Sequence, residues 1–296
     1  MKKILLIVFI TISARNIAFS QEWLTSLEVA KELALVQDKM ILALWENAAY
    51  NGFLLITEKN KNYRISDLVT DKSLQRIIWK YFVPVIIPEY KYEDLMMDIK
   101  GKRNSDYIQK FNDNSIKVMD ANGNILDTDS FLYHLNNSSF SNLLTKYSLN
   151  TKFLKPELKS YSLNRNFVTS IRLASKYLDY AIYANKPIRK EIVSLSEIYK
   201  QEALEKLHDE NMTKKEAYNQ KIELLEIKKY IVLNNPKKAL KRLNKFEDSH
   251  IDKINSSLFA FLQFATNRML QNIDDAMVWQ NEVSLTDLKK MKYLLK

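Results

Sequence analysis

Cysteine is absent from all 296 residues. That excludes disulfides, thiolate nucleophiles and cysteine-ligated zinc, so the fold has to be held by packing alone. Glycine is nearly as scarce, with three residues, and proline numbers five. Three scattered glycines cannot build a phosphate-cradling loop or a G-x-S-x-G nucleophile elbow. So few turn formers also argue against an all-β design and for helices over much of the length. The three histidines, His134, His208 and His250, stand apart from one another, outside any H-E-x-x-H or paired-ligand spacing. Each reads as a surface or core histidine rather than a ligand. The sequence implies no cofactor and no metal.

Apolar residues make up 46% and aromatics 11%, ample for a core, and the length suits two domains. Residues 1–20 begin with Lys2 and Lys3, continue through the apolar run Ile4 to Ile10 and close on Ala18-Phe19-Ser20. This is the pattern of a secretory signal peptide cut near Ser20, and the expectation is an exported chain, periplasmic or secreted. Without cysteine it carries no lipid anchor, and no later run reaches the ~18 apolar residues of a membrane span. The net charge of +10 falls to about +7 when Lys2, Lys3 and Arg15 leave with that segment. Such a surface attracts anions nonspecifically, but no arginine/aromatic stripe accompanies it, so no specific nucleic-acid partner is implied.

Thr25-Ser26-Leu27-Glu28 fits a capping box, opening a helix with the stripe Val29, Leu33, Val36 and Ala30 beside it. Met40-Ile41-Leu42-Ala43-Leu44-Trp45 reads as a buried strand running into a polar turn, with a new element from about Gly52. Glu58 to Asp67 reads as polar and irregular. Asp71 then caps a helix facing inward through Leu74, Ile77, Ile78 and Tyr81. Phe82-Val83-Pro84-Val85-Ile86-Ile87 is a second apolar strand, with Pro84 expected at a bulge or at the strand's start. A shorter helix ends over Tyr107 to Phe111. Ser115 to Asp120 is a strand, Asn122-Gly123 a type I′ turn, and Asn124 to Leu126 the returning strand. Asp120-Ala121-Asn122-Gly123 is a turn and not a calcium loop, which would need Gly at its sixth position and Glu at its twelfth. A final helix covers Phe140 to Tyr147.

The opening on Trp23, the run Lys39 to Trp45, the Phe82-Val83-Pro84-Val85 strand and the order βα, βα, ββα over Trp23 to Ser148 together resemble an exported thioredoxin-fold domain. The resemblance implies an α/β unit over 21–148, a central mixed sheet flanked by helices. In that family a Cys-x-x-Cys at a helix start, a carboxylate buried on the preceding strand and a facing cis-proline perform thiol–disulfide exchange. This chain carries Tyr50-Asn51-Gly52-Phe53, Leu44 and Asn114-Ser115 at those positions. All three parts are missing together, so the redox chemistry is impossible. What the resemblance leaves is a groove at the degenerate site able to take an extended peptide, with Tyr50 as a contact. Alternatively, Tyr50 and Phe53 simply pack under the turn.

Residues 149–164, with Pro156 near the middle, read as a linker, and 165–296 as helix–loop–helix pairs. Val168, Ile171, Ser175, Leu178 and Ile182 form one stripe, broken by Asn185-Lys186-Pro187, after which a helix runs to about Leu207. Thr213 opens a further helix to Leu233. Ile254, Leu258, Phe261, Leu262, Ala265 and Met269 give the cleanest helical period. Asn235-Pro236-Lys237-Lys238-Ala239-Leu240 and Asn272-Ile273-Asp274-Asp275-Ala276-Met277 are alike at a spacing near that of a tetratricopeptide unit, the half resembling such an array or forming an irregular bundle. Lys237, Lys238, Lys241, Arg242 and Lys245 read as a solvated face. The expected role is a redox-inactive protein- or peptide-binding module of the cell envelope. The rivals are a non-redox enzyme with its site between the domains, favoured by converging carboxylates or histidines, and a scaffold subunit, favoured by a large exposed apolar patch.

Overall fold

The structure, a computed structural model, describes residues 22–51, 55–58, 61–129, 140–209, 214–246 and 250–295. Residues 1–21, which hold the expected signal peptide, and Gly52, Phe53, His134 and Thr213 lie outside the described residues. The molecule is mostly helical around a four-stranded mixed sheet.

Helix α1 spans Leu27–Gln37, and its N-cap is Ser26, one residue later than the box at Thr25 suggests. The Ser26 hydroxyl accepts from the Val29 amide. Ala30 and Ala34, four apart on one line, face the core, because methyl side chains let the helix lie close to its neighbours. Val29 sits one residue, roughly 100°, away from that line. Val29 and Val36 are 50% and 68% exposed, which corrects the expected stripe.

The sheet has the order β4-β1-β5-β6. Strand β1 (Met40–Trp45) pairs in parallel with β4 (Phe82–Ile87), and both are buried along their whole length. Their unbroken apolar runs are what a strand covered on both faces requires. On the other side β1 pairs antiparallel with β5 (Ile116–Met119), which pairs antiparallel with β6 (Ile125–Asp129). Pro84 stands mid-strand, neither at a bulge nor at the start. The Leu24 amide donates to Pro84 O at 3.1 Å and Ile86 N donates to Leu24 O at 2.8 Å. Pro84 thus turns its nitrogen to the outer side of β4, where an edge strand needs no ladder donor.

Helix α2 (Glu46–Asn51) follows Trp45 without a turn. The polar stretch around Glu58 to Asp67, expected to be irregular, holds a hairpin, β2 (Leu55–Glu58) and β3 (Lys61–Arg64), and helix α3 (Ile65–Thr70). Helix α4 (Lys72–Tyr81) is capped by Asp71 as expected, the carboxylate accepting from Ser73 N and Leu74 N. It buries Leu74, Gln75, Ile78 and Trp79, whereas Ile77 is exposed. Two further helices, α5 (Tyr92–Ile99) and α6 (Ser105–Asn112), precede the β5–β6 hairpin, and α7 (Phe140–Tyr147) follows it. The hairpin turn is not type I′. Gly123 N donates to Asp120 O and Asp120 N donates to Asn124 O, both at 2.9 Å. Gly123 alone has positive φ, at 84°, so this is a three-residue loop, a type I turn closed by a left-handed glycine.

Residues 149–164 are no linker. They form a 3₁₀ turn, Thr151–Phe153, and helix α8 (Lys155–Leu163), which bury Leu154, Leu158 and Tyr161. Pro156 lies in the first turn of α8, where its missing N–H has no partner to lose. Thr151 N donates to Asp38 O at 2.9 Å, and Lys155 pairs with the Asp38 carboxylate at 2.9 Å. Then come α9 (Phe167–Tyr183), opened by the capping box Asn166/Thr169, α10 (Arg189–Asp209), α11 (Lys215–Val232) and α12 (Pro236–Leu243). The chain closes with α13 (Ser256–Leu270), α14 (Ile273–Gln280) and α15 (Leu285–Leu294). Ala239 and Ala276, equivalent in the two similar segments, are both fully buried. Helix α13 is buried on every side from Phe259 to Asn267, because α11, α12, α14 and α15 all pack on it, and Ile254 is exposed. One apolar cluster runs from Trp23 to Leu294 through both halves of the chain.

Ion pairs stitch the helices. Glu226 on α11 meets Lys200 and Lys229, each at 2.5 Å. Burial pushes its carboxyl up, but the hydrogen bonds from the two lysines outweigh that and hold it at about 2. A carboxylate lowered from 4.5 on folding contributes stability above 4.5, and that contribution is lost as the pH falls towards 2. Glu226→Gln is therefore expected to flatten the stability profile between those limits. After discounting for solvent screening the effect is about 1 kcal/mol, readable from urea midpoints at pH 6 and pH 3.

Candidate functional site

The positions that the thioredoxin-fold resemblance singles out lie around the end of β1. Leu44 is fully buried, and its place on the strand carries no carboxylate. The β1–β5 register pairs Ala43 with Lys117, so two residues further Ser115 stands beside Trp45. Ser115 is buried and its hydroxyl has no hydrogen-bond partner, while Asn114 is exposed. Tyr50 is 55% exposed at the far end of α2, next to exposed Asn51. The structure therefore brings Leu44 and Ser115 to one strand end. It leaves Tyr50 in solvent rather than under the turn.

Other groups fill this corner. The Asn47 amide in the first turn of α2 donates to the Glu89 carboxylate at 3.0 Å, so a carboxylate occupies the helix start. Lys117 is buried on β5, donates to the carbonyls of Asp113 and Ser115, and lies 5.7 Å from the Trp45 ring. Burial pushes its amine down to about 8, against the pull of Asp113 and Glu89. Lys117 thus ties down the loop that carries Asn114. Trp45 itself donates to Phe111 O at 3.0 Å and packs tilted against Tyr92 and edge-on against Phe111, closing the corner with rings.

The strongest polar constellation lies at the hairpin tip. Asp120 is fully buried; one carboxylate oxygen accepts from Asn122 N and Asn124 N at 2.9 Å, the other from the hydroxyls of Tyr177 (2.9 Å) and Tyr199. Burial pushes its carboxyl above the ordinary value, opposed by those four donors. The Tyr199 hydroxyl accepts in turn from the side-chain amides of Asn122 (3.1 Å) and Asn124 (3.0 Å). Arg103 pairs with Glu202 at 2.5 Å and donates to Asn124 at 3.3 Å, and Tyr161 donates to Glu202. This network couples the sheet to α8, α9 and α10. In the sequence the Asp-Ala-Asn-Gly-Asn run signals an Asx-turn and no more than that. Nothing local to the sequence points to Tyr177 or Tyr199, 57 and 79 residues away.

Beside the network a cleft of about 440 Å³ opens between the sheet-bearing half and the helices. Its apolar floor includes Leu27, Ile87, Leu95 and Ile99, and its helical wall carries Tyr161, Arg165, Glu202 and Lys206. A second cavity of about 280 Å³, reaching Pro88 and Tyr90, shares Leu27, Ile87, Leu95 and Asp98 with it. The two make one elongated groove. The Nε of Arg103 faces this region buried and without a hydrogen-bond partner. Lys31 lies over Gly123 so closely that a Cβ there would meet its Cε at 2.6 Å, so any residue but glycine displaces Lys31 from the cleft wall. Neither Tyr50 nor Asn114 lines this groove.

Among the described residues no group of three His, Cys, Asp or Glu could hold a metal ion, and no helix is long and apolar enough to cross a membrane. No family model, curated protein or solved structure matches the chain.

Proposed function

We propose that this chain is an exported, redox-inactive thioredoxin-like protein that binds an extended peptide segment of a protein partner. The βα, βα, ββα order, with parallel β1 and β4 and an antiparallel hairpin beside them, supports the thioredoxin-like reading of the first half. Paired helices with buried Ala239 and Ala276 support a repeat-like second half. The elongated groove at the junction carries the binding role: an apolar floor takes side chains, and polar rims take main-chain groups. Binding moves from the degenerate redox corner, which is closed by Lys117 and the aromatic trio, to this junction. The rival enzyme reading needs catalytic groups free to act together, and the most buried charged pair in the groove, Arg103 with Glu202, is engaged with itself.

The test selects binders from a library of unstructured peptides on the full chain. Leu95 lines both parts of the groove, so Leu95→Arg should fill it and weaken selected peptides more than tenfold, with far-ultraviolet circular dichroism showing the fold retained. Tyr50→Ala should leave them unchanged. Equal binding to Leu95→Arg, or loss on Tyr50→Ala, would reject the junction as the site. Export is checked separately: the chain made in an exporting host should begin at Gln21 by mass spectrometry.

A further inference from the structure

A third cavity, of about 480 Å³, lies among the helices and shares no lining residue with the groove. Its volume falls within the range of small-molecule sites. Four cations line it, Lys186, Arg189, Lys190 and Arg268, and no aspartate or glutamate does so among the described residues. Helix ends account for part of that charge. Helices α11, α13 and α15 all terminate at its wall, at Leu233, Gln271 and Leu295. Each C-terminus presents roughly half a negative charge and the start of α10 at Arg189 roughly half a positive one, so the wall stays cationic.

Arg189 is the fixed member of the set. Its Nε donates to Ala184 O at 3.2 Å and one Nη to Ile182 O (3.0 Å) and Tyr293 O (3.2 Å), all backbone carbonyls. The remaining Nη keeps two donors. The side chains of Lys190 and Arg268 make no ion pair or hydrogen bond among the described residues. Between these cations lie apolar walls, Ile231, Met269 and Leu294, and two leucines that a folded chain normally covers: Leu233 and Leu295 are 40% and 50% exposed.

We infer that this cavity binds the anionic form of a small apolar acid, an acyl chain ending in a carboxylate. The head group would satisfy Arg189, Arg268 and Lys190, and the tail would cover the leucines. A bare phosphate would leave the apolar wall wet, and a neutral alcohol would offer no charge to Arg189, Lys190 and Arg268. An extended peptide would bring main-chain groups, for which the walls offer only Asn234 and Gln271 as neutral polar side chains.

Calorimetric titration of the full chain with decanoate, below its micelle concentration, tests this against decanol, decyltrimethylammonium, acetate and inorganic phosphate. Decanoate should bind at least tenfold more tightly than any of the four. The double variant Lys190→Gln with Arg268→Gln, and separately Leu233→Ser, should each weaken it at least tenfold. A diazirine-bearing decanoate gives a readout that needs no variant, and it should label residues 231–233 and 269–271 of the wild type. Equal binding of decanol, preference for phosphate, undiminished binding by the double variant, or labelling elsewhere would overturn the assignment. Because the site shares no lining residue with the junction groove, failure here leaves the peptide reading standing, and the reverse also holds.

Discussion

Asp120→Ala should cost about 4 kcal/mol, a larger loss than a typical core truncation, because it orphans buried donors on three separate elements. Two are main-chain amides of the hairpin turn, and two are the hydroxyls of Tyr177 on α9 and Tyr199 on α10. Asp120 is fully buried, so solvent cannot readily take the place of the carboxylate. The loss should show as a shift of the denaturation midpoint. It should also reduce the near-ultraviolet circular dichroism, because Tyr177 and Tyr199 stack at 5.5 Å with their rings only 8° from parallel. Asp120→Asn keeps one accepting oxygen for the turn but sets an amide against hydroxyls that point towards it. Its cost should be about half as great. A change below about 1 kcal/mol for the alanine variant would mean that the hairpin tip does not hold the halves together.

Asp179→Ala is the second large effect. Its carboxylate sits between Lys228 at 2.9 Å and Lys290 at 2.6 Å, both nearly buried. Burial pushes Asp179 up, but the two lysines prevail and hold it below the usual carboxylate range. Lys290 has a second partner in Asp287 at 2.7 Å, whereas among the described residues Lys228 otherwise hydrogen-bonds only to the Ser175 carbonyl. Removing Asp179 leaves Lys228 charged in the core, at a cost of about 3 to 5 kcal/mol near neutral pH. The sign with pH follows from burial, which lowers the Lys228 amine. Without Asp179 the variant should regain stability as the pH rises and Lys228 deprotonates, more steeply than the wild type, in which Asp179 opposes that lowering. Lys228→Met in the same background should restore most of the loss. A double variant no more stable than Asp179→Ala alone would show that the damage comes from packing rather than from stranded charge.

The fold is legible where pattern and period coincide. Met40–Trp45 and Phe82–Ile87 are unbroken apolar runs between polar stops, and both are strands at those bounds. Asp71 caps its helix because its side chain is the right length for the next amides. One-faced reasoning misleads elsewhere. In α1 the alanines and not the valines touch the sheet, since close approach rewards small side chains over larger ones. Helix α13 has no solvent face to alternate with, so its period says little about its burial. Pro156 suggests a break, yet at a helix start proline is compatible with continued structure.

The site is less legible than the fold. Order along the chain suffices to bring Leu44 and Ser115 to one strand end, with Tyr50 on the short helix that follows. The groove leaves no such trace, because its walls come from α1, α5, α8 and α10, and that convergence has no local spacing. Lys117 is the instructive exception: a lone lysine inside Ile116-Lys117-Val118-Met119 marks a position that a simple strand would give to an apolar residue.

The span between Asp120 and Tyr199 bears on biosynthesis. A growing chain that has reached Asp120 still lacks the Tyr199 hydroxyl that the buried carboxylate binds, and 79 more residues must appear before it is supplied. Until then the first half has little reason to settle into its final form. For a polypeptide threaded unfolded through a narrow translocation pore, that delay is an advantage. On the export proposed above, it would keep the leading segment pliable during passage and reserve cooperative closure for the far side.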